Sequence, residues 1–190
     1  MKIILASKSP RRKEILKDLG YDITVDVSDV DEEAVKRDDI KELVMHLAKL
    51  KAETVAERNK DSIVIAADSL VFFEGKEIGQ PKDDEQAEIV LRRLMGKTHE
   101  VYSGLCVINT DTGEIIQDLE ISKVTLKIVS DDVLIEYIKG GHYKGKAGAY
   151  NINDPAFESF MDHYEGSYTN IMGLPRKKIA KMIEIVQMNN

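Results

Sequence analysis

The stretch Ser62-Ile-Val-Ile-Ala-Ala67-Asp68 decides the fold class of this chain. Its continuous apolar run, rich in β-branched residues, predicts a strand that is buried on both faces, as in a sheet covered by helices on both sides. We expect this strand to end at Asp68-Ser69, and residues 70–73 to form a second strand that turns back through Gly75. A buried central strand of this kind is typical of an α/β domain.

Helix and strand signals alternate on both sides of this central strand. Further strands are predicted at residues 2–5, 23–27, 101–108 and 115–129, and helices at residues 10–19, 40–57, 84–94, 131–138 and 175–188. Residues 139–174 contain six of the twelve glycines and are expected to be irregular. Because no repeat, low-complexity tract or linker interrupts this order, we expect a single α/β domain over residues 1–190.

The composition excludes several classes of protein. With 27 Lys and Arg against 34 Asp and Glu, the chain has a net charge of -7, so nucleic acid and membrane surfaces are not expected as partners. The longest apolar run, residues 63–67, is far shorter than the roughly 20 residues of a membrane span. A single cysteine, Cys106, allows no internal disulfide. Together with the lack of a signal-peptide pattern, it predicts a cytoplasmic location.

The first predicted helix begins with two arginines. Arg11 and Arg12 follow the N-cap Ser9 and Pro10, in a turn where the helix dipole disfavours positive charge by about 0.3–1 kcal/mol per residue. A bound anion would reverse this effect, because backbone N–H groups, the hydroxyls of Ser7 and Ser9 and two guanidinium groups would converge on a phosphate. A solvated basic turn on a surface helix is the alternative.

Lys51 interrupts the apolar face of the helix predicted at residues 40–57. On a helical projection it falls close to the centre of the apolar stripe, whereas Lys49 falls well outside it. The stripe consists of Ile40, Leu43, Val44, Leu47, Ala48, Leu50 and Val55. Either the amine reaches water along the flank of the helix, or it meets an anion in the interior.

Two acidic positions are candidates for catalysis and metal binding. Asp68 follows the buried strand, and ligands of open α/β sheets bind at the carboxyl ends of strands, so it is a candidate general base or metal ligand. Glu32, between Asp31 and Glu33, offers a hard oxygen ligand for Mg²⁺ or Mn²⁺. An ordinary turn at Asp68 and a solvated acidic loop around Glu32 are the alternatives.

Other familiar site patterns do not occur in the sequence. The four histidines show no metal-ligand spacing and Cys106 has no second cysteine, which argues against zinc and thiol chemistry. Neither a P-loop nor a Gly-x-Gly-x-x-Gly motif is present, so these two nucleotide-binding loops are not predicted.

Eight short segments occur in a fixed order between Leu5 and Pro175. They are Leu5-Ala-Ser-Lys-Ser-Pro-Arg-Arg12, Asp31-Glu32, Leu47-Ala-Lys-Leu-Lys51-Ala, Ala67-Asp68-Ser69, Gly79-Gln-Pro-Lys-Asp83, Tyr102-Ser-Gly104, Lys146-Ala-Gly-Ala-Tyr150-Asn-Ile-Asn153 and Gly166-Ser-Tyr-Thr-Asn170-Ile-Met-Gly-Leu-Pro175. Together they resemble the Maf family of nucleoside triphosphate pyrophosphatases.

The resemblance implies a fold and a reaction. The expected fold is an elongated mixed β-sheet flanked by helices, with two lobes around a deep cleft, as in ITPase-like proteins. The expected enzyme is a cytoplasmic homodimer that hydrolyses a nucleoside triphosphate between the α- and β-phosphates, with a divalent metal cation, Mg²⁺ or Mn²⁺.

The resemblance also implies roles for individual residues. Asp68 matches the family's proton acceptor. The positions that handle phosphate and metal are matched by Ser7, Arg12, Glu32 and Lys51, with Glu32 and Asp68 as metal ligands. The positions associated with base specificity are matched by Arg11, Ser69 and Asn153. Paired arginines resemble the dTTP/UTP-preferring branch, whereas the 7-methyl-GTP branch carries a bulky residue before a single arginine.

The chain departs from the family pattern at three positions. Gln80 replaces a lysine of the phosphate site, which removes one positive charge and predicts slower turnover unless Lys82 or Lys76 takes that part. Ser69 replaces the usual Thr and Asn153 the usual Gln, which keeps both positions polar. The alternative to an enzyme is a nucleotide-binding regulator of cell division and septum formation with weak or no hydrolysis, and Gln80 is the feature that favours it.

Overall fold

The computed structural model describes residues 1–188 of the chain. The helices are α1 (Pro10–Asp18), α2 (Ile40–Ala56), α3 (Asp84–Leu94), α4 (Asp131–Lys139), α5 (Tyr168–Ile171) and α6 (Arg176–Met188). The strands are β1 (Lys2–Leu5), β2 (Ile23–Val25), β3 (Ser62–Phe73), β4 (Lys76–Ile78), β5 (Thr98–Asn109), β6 (Ile115–Leu126) and β7 (Met161–Glu165). Strands and helices alternate, so the predicted α/β class is confirmed.

The strands form one mixed sheet. Its order is β2-β1-β3-β5-β6-β7, and β4 pairs with the end of β3. β1 is parallel to both β2 and β3, whereas β4 runs antiparallel to β3 and β7 antiparallel to β6. Because β1 and β3 pair in parallel, the loop after β1 and the continuation of β3 lie at the same end of this strand pair.

The prediction that the central strand ends at Asp68 was wrong. β3 continues without a break to Phe73, and β4 is the strand that turns back through Gly75. β1 pairs with β3 only as far as Ile65, so Asp68 lies beyond the carboxyl end of β1 but within β3. A polar side chain does not interrupt the backbone ladder of a strand, which is why Asp68 is a poor marker of a strand end.

The prediction that residues 139–174 are irregular was wrong in part. This segment contains two 3₁₀ turns, but also β7 and the short helix α5. β7 has the sequence Met-Asp-His-Tyr-Glu and is largely exposed, so it lacks the apolar alternation that identifies a half-buried strand. Its backbone pairing with β6, distant in sequence, is what makes it a strand.

Two compact units can be distinguished along the chain. The first comprises residues 1–69, 102–120 and the segment from residue 173 onward, and the second comprises residues 70–101 and 121–172. The single domain remains a prediction.

In the first unit, α2 packs against the sheet partly through small residues. Its buried cluster joins side chains of β1, β3 and β5 to those of α2, namely Ile4, Ala6, Ala48, Ala52, Val55, Val64, Ala66, Cys106 and Ile108. Because Ala48 and Ala52 have small side chains, the helix backbone can lie close to the strands.

The second unit has an aromatic core. Phe157 stacks on Tyr150 with ring centroids 4.5 Å apart and on Phe160 with centroids 5.1 Å apart. Aliphatic side chains of α3 and α4, such as Leu91 and Leu134, belong to the same buried cluster. Within residues 1–188, no helix combines the length and the apolar character needed to cross a membrane.

His99, on β5 in the second unit, makes the stability of the protein depend on pH. Its Nε2 atom lies 2.7 Å from the Tyr150 hydroxyl, and burial lowers the pKa of His99 to about 4. The unfolded chain takes up this proton near pH 6.5, and the folded protein does so only near pH 4. The stability is therefore present in full above pH 6.5 and decreases as the pH falls toward 4, by about 1.4 kcal/mol per pH unit.

Urea unfolding between pH 7.5 and pH 4 measures this dependence. The His99→Gln variant keeps a polar side chain that does not titrate, so its profile should be flatter than that of the wild-type protein over this range. Parallel profiles for the two proteins would contradict the prediction.

Candidate active site

Lys51 is buried on α2 and pairs with two carboxylates. Its side chain belongs to the buried face of the helix and is only 7% exposed. The Nζ atom lies 2.6 Å from Oδ1 of Asp68 and 2.9 Å from Oε1 of Glu32. The amine therefore pairs with carboxylates of the chain and does not reach water along the helix flank, and its role in phosphate binding stays a prediction. A buried ammonium requires such partners, because an unpaired charge in the interior is strongly destabilising.

Gly104 permits the close approach that places Lys51 next to Asp68. A Cβ atom built on Gly104 would lie 2.2 Å from the backbone oxygen of Val44, so no side chain fits between β5 and α2 at this point. Val44 and Lys51 are on the same buried face of α2. The backbone contact at Gly104 thus sets the distance at which this helix presents its lysine.

Asp68 is buried and has one oxygen without a protein partner. The hydrogen bond that Lys51 donates to Oδ1 stabilises the buried carboxylate. Oδ2 is also buried, but it accepts no hydrogen bond from any residue within 1–188. A buried oxygen of this kind costs on the order of 1–3 kcal/mol, which indicates that a group from outside the chain completes its surroundings.

Arg12 joins three segments of the first unit. Its Nε donates to the Gly173 carbonyl at 2.9 Å, and its Nη1 donates to the Ala67 carbonyl at 2.7 Å and to Ser7 Oγ at 3.3 Å. Its Nη2 donates to Ser69 Oγ at 3.2 Å. Since Ala67 and Ser69 flank Asp68 in the chain, Arg12 holds the chain on both sides of the buried carboxylate, through the Ala67 backbone carbonyl and the Ser69 side-chain hydroxyl.

Arg11 has a different environment from its neighbour. Its Nε atom is buried and has no hydrogen-bond partner among residues 1–188. Burial lowers the pKa of both Arg11 and Arg12. For Arg12 the negative charges of Asp68 and Glu32 oppose that shift, whereas the positive charge of Arg11 adds to it. Two adjacent, partly desolvated cations are a site where an anion is favoured.

Ser7 and Ser9, which precede the two arginines, make different hydrogen bonds. Ser9 is the N-cap of α1, as predicted, and its side chain accepts a hydrogen bond from the Arg12 backbone N–H at 3.4 Å. Ser7 Oγ accepts from the Ser9 N–H at 3.2 Å and from Arg12, so it is held in place as an acceptor. The proton of the Ser7 hydroxyl remains to be donated, which suits an anion.

Ser103 and Gly173 also belong to this network, although the sequence analysis assigned neither of them a role. Ser103 is fully buried and its Oγ lies 2.8 Å from Ser69 Oγ. Ser103 is a polar residue within the apolar run of β5, and this interruption was the available signal. For Gly173 there was none beyond its place in the Gly-Leu-Pro segment, because its contribution is a backbone carbonyl.

Glu32 and Asp68 are the two candidate oxygen ligands for a cation. The Glu32 side chain is 54% exposed, and Lys51 is the common partner of both carboxylates. Within the described part of the chain, no group of three or more His, Cys, Asp or Glu residues is arranged to hold a metal by itself. Mg²⁺ is commonly bound through one or two carboxylates together with substrate phosphates. The two carboxylates therefore fit a divalent cation that binds together with a phosphate ligand.

Two of the predicted site residues belong to the second unit. Lys82 is exposed, and its backbone N–H donates to Gln86 Oε1 at 3.2 Å. Asn153 lines a pocket of about 640 Å³ together with Tyr164 and Tyr168. Its Oδ1 accepts a hydrogen bond from the Tyr168 hydroxyl. The other candidates, which are Ser7, Arg11, Arg12, Glu32, Lys51, Asp68 and Ser69, all belong to the first unit.

The chain is similar in sequence and in fold to known proteins. The family model described as "Maf-like protein" matches residues 2–186. The chain is 44% identical to a dTTP/UTP pyrophosphatase of Pyrococcus furiosus, over 97% of this chain and 95% of the relative. It is 40% identical to a dTTP/UTP pyrophosphatase of Clostridium acetobutylicum, over 96% of each chain. Among solved structures, the Ham1 protein of Staphylococcus aureus has the same fold with a TM-score of 0.55 at 16% identity, over 100% of this chain and 99% of that one.

The family model covers nearly the whole chain, and relatives at 40% identity or more match it along almost their full length. The chain belongs to the Maf family.

Proposed function

We propose that this protein is a nucleoside triphosphate pyrophosphatase that converts a (d)NTP to the (d)NMP and pyrophosphate, with dTTP and UTP as its preferred substrates. The observation that carries the proposal is the buried Lys51–Asp68 pair with one free carboxylate oxygen, in the same unit as two desolvated arginines. The relatives named dTTP/UTP pyrophosphatase support the choice of substrate.

The triphosphate is bound by the cations and hydroxyls at the start of α1. Arg11 has an unpartnered buried donor and Ser7 has a hydroxyl proton to give, so both serve as phosphate ligands. Lys51 has three N–H donors, of which Asp68 and Glu32 take two, and the third is available for a phosphate oxygen. Clustered donors of this type position the chain of phosphates and stabilise the charge that develops during transfer.

Asp68 acts as the general base. Its free Oδ2 accepts the proton of a water molecule, which attacks the α-phosphorus while pyrophosphate departs on the opposite side. Lys51 holds the other oxygen, so the carboxylate keeps one orientation throughout.

Glu32 and Asp68 would hold the divalent cation, Mg²⁺ or Mn²⁺. When bound, this cation neutralises charge on the phosphate oxygens and the leaving group. Without it, Asp68 and Glu32 would repel the triphosphate, and Lys51 offsets only part of their charge.

Base preference is assigned to Asn153 and to Arg11 directly, and to Ser69 only through its hydrogen bond with Arg12. The Asn153 amide is oriented by the Tyr168 hydroxyl in a pocket with aromatic walls, which is suited to a flat nucleobase. Lys82 replaces the missing lysine at Gln80 as a further phosphate ligand. We also propose that the protein is a cytoplasmic homodimer, as the family resemblance implies.

A pyrophosphate-release assay over canonical and modified triphosphates with Mg²⁺, Mn²⁺ and Co²⁺ tests the proposal. We expect the highest kcat/KM for dTTP and UTP, no release without a divalent cation, and the monophosphate as the second product. Release of orthophosphate instead of pyrophosphate would contradict cleavage between the α- and β-phosphates. Tight triphosphate binding without hydrolysis in any of the three metals would favour the nucleotide-binding regulator.

A further inference from the structure

We propose that the two adjacent arginines have separate tasks: Arg11 binds the triphosphate, and Arg12 is a positioning residue that holds the residues on both sides of Asp68, by the backbone carbonyl of Ala67 and the side-chain hydroxyl of Ser69. The inference rests on the proposed function and deepens it, since it separates the phosphate ligand from the residue that fixes the general base.

Arg12 has too few free donors to bind a phosphate through a pair of N–H groups. A guanidinium group has five N–H donors, one on Nε and two on each terminal nitrogen. Four of them are taken, by the Gly173 and Ala67 carbonyls and by the hydroxyls of Ser7 and Ser69. Only one N–H of Nη2 remains, so neither edge of the group can make the paired contact by which arginine recognises phosphate.

Ser69 is similarly committed to the network. A hydroxyl can donate one hydrogen bond and accept two. Ser69 Oγ accepts from Arg12, lies 2.8 Å from the buried Ser103 hydroxyl and lies 3.4 Å from the Gly173 carbonyl. These three contacts match its full capacity, so Ser69 affects the site through Arg12 and the backbone and not through a contact with the base.

Within residues 1–188, Arg11 differs from Arg12 in that its Nε donor is free to bind a ligand. Its Nε is buried without a partner, although it is next to Arg12 in sequence and carries the same charge. An anion would satisfy this donor and would also offset the repulsion that Arg11 and Arg12 exert on each other.

The position of Asp68 depends on the contacts of Arg12. Ala67, whose carbonyl accepts from Arg12, directly precedes Asp68, and Ser69, whose hydroxyl accepts from Arg12, directly follows it. Arg12 also donates to the carbonyl of Gly173, which lies 161 positions after Arg12 in the sequence. Loss of these bonds would let the β3 backbone shift at Asp68. A displacement of about 1 Å at a reacting group can cost about 10²-fold in rate.

The same substitution at the two neighbouring positions separates the two tasks. Arg12→Lys and Arg11→Lys keep the positive charge but remove the planar guanidinium group with its paired N–H donors. We would measure kcat for pyrophosphate release, the Kd of the non-hydrolysable α,β-methylene analogue of dUTP with Mg²⁺, and the urea midpoint of unfolding. Ser103→Ala is a milder variant that loosens Ser69 without touching either arginine.

For Arg12→Lys we expect kcat to fall about 10²-fold, with Kd within about twofold of the wild-type value and a lower unfolding midpoint. For Arg11→Lys we expect Kd to rise about tenfold, because the ammonium group cannot make the paired contact of a guanidinium group with phosphate. The unfolding midpoint should not change, because the Arg11 Nε has no hydrogen-bond partner within residues 1–188. Ser103→Ala should lower kcat by a smaller factor, about threefold to tenfold, and leave Kd unchanged.

Arg12→Lys with a raised Kd and an unchanged kcat would overturn the assignment, because Arg12 would then be a phosphate ligand. If Arg12→Lys does not fold, an unchanged kcat in Ser103→Ala overturns it instead. Wild-type protein that releases no pyrophosphate would contradict the proposed function. Equal unfolding midpoints for the two lysine variants would contradict the structural part of the inference, whatever the activity.

Discussion

Replacing Asp68 with asparagine is expected to lower kcat for pyrophosphate release by about 10³-fold, the scale of a lost general base. The amide has the same size as the carboxylate, and its oxygen can still accept the hydrogen bond that Lys51 donates to Oδ1. What the variant loses is the second oxygen, Oδ2, which is buried without a protein partner and is the proposed proton acceptor.

The measurement is the initial rate of pyrophosphate release with dTTP and Mg²⁺, with circular dichroism to verify the fold. Asp111→Asn provides a matched control, because Asp111 lies in the exposed turn between β5 and β6 of the same unit. The control should retain wild-type kcat. An Asp68→Asn protein with kcat within threefold of wild type would remove Asp68 from the mechanism.

Replacing Gly104 with alanine is expected to destabilise the protein by about 4 kcal/mol or more, the upper range for a single substitution. The added Cβ would lie 2.2 Å from the Val44 oxygen, 2.3 Å from its carbonyl carbon and 2.6 Å from the Met45 nitrogen. All three atoms belong to the α2 backbone, so no side-chain rotation can relieve the contact. The helix would have to move away from β5, and Lys51 would move with it.

Urea unfolding followed by circular dichroism measures this effect. Gly79→Ala is the control, because a Cβ at Gly79 would meet no atom within 4 Å and the Gly79 backbone does not have a positive φ. We expect a shift of less than about 1 kcal/mol for the control. Similar unfolding midpoints for the two variants would show that the contact between α2 and β5 is not constrained by Gly104.

Local physics accounts for the elements that the sequence predicted well. The N-cap Ser9 and the N-cap Asp83 each bond to a backbone N–H within three residues, so their helices begin where short-range signals place them. The apolar run at residues 62–67 also became a strand with every residue buried. Such signals depend on near neighbours and are readable without the fold.

The errors have a common cause. The continuation of β3 past Asp68 is paired through its backbone with β4 in a tight hairpin, and β7 is paired through its backbone with β6, which is distant in sequence. Polar residues at these positions suggested a turn or a loop, but the ladder hydrogen bonds are formed by the backbone and do not depend on side-chain polarity.

The sequence by itself determined which residues violate local rules. Two arginines at a helix start, a lysine on an apolar stripe and a carboxylate directly after an apolar run were identified without coordinates, because such signals depend on residues that are near neighbours in the chain. It also determined the family, through eight ordered segments.

The contacts of each of these residues depend on the tertiary structure. It pairs Lys51 with Asp68 across 17 positions of sequence and Arg12 with Gly173 across 161, and it leaves Arg11 Nε and Asp68 Oδ2 without protein partners. The physical reason is that hydrogen bonds and burial depend on distances of a few ångströms between segments far apart in the chain. The difference between a phosphate-binding arginine and a positioning arginine is therefore visible in the fold and not in the paired letters of the sequence.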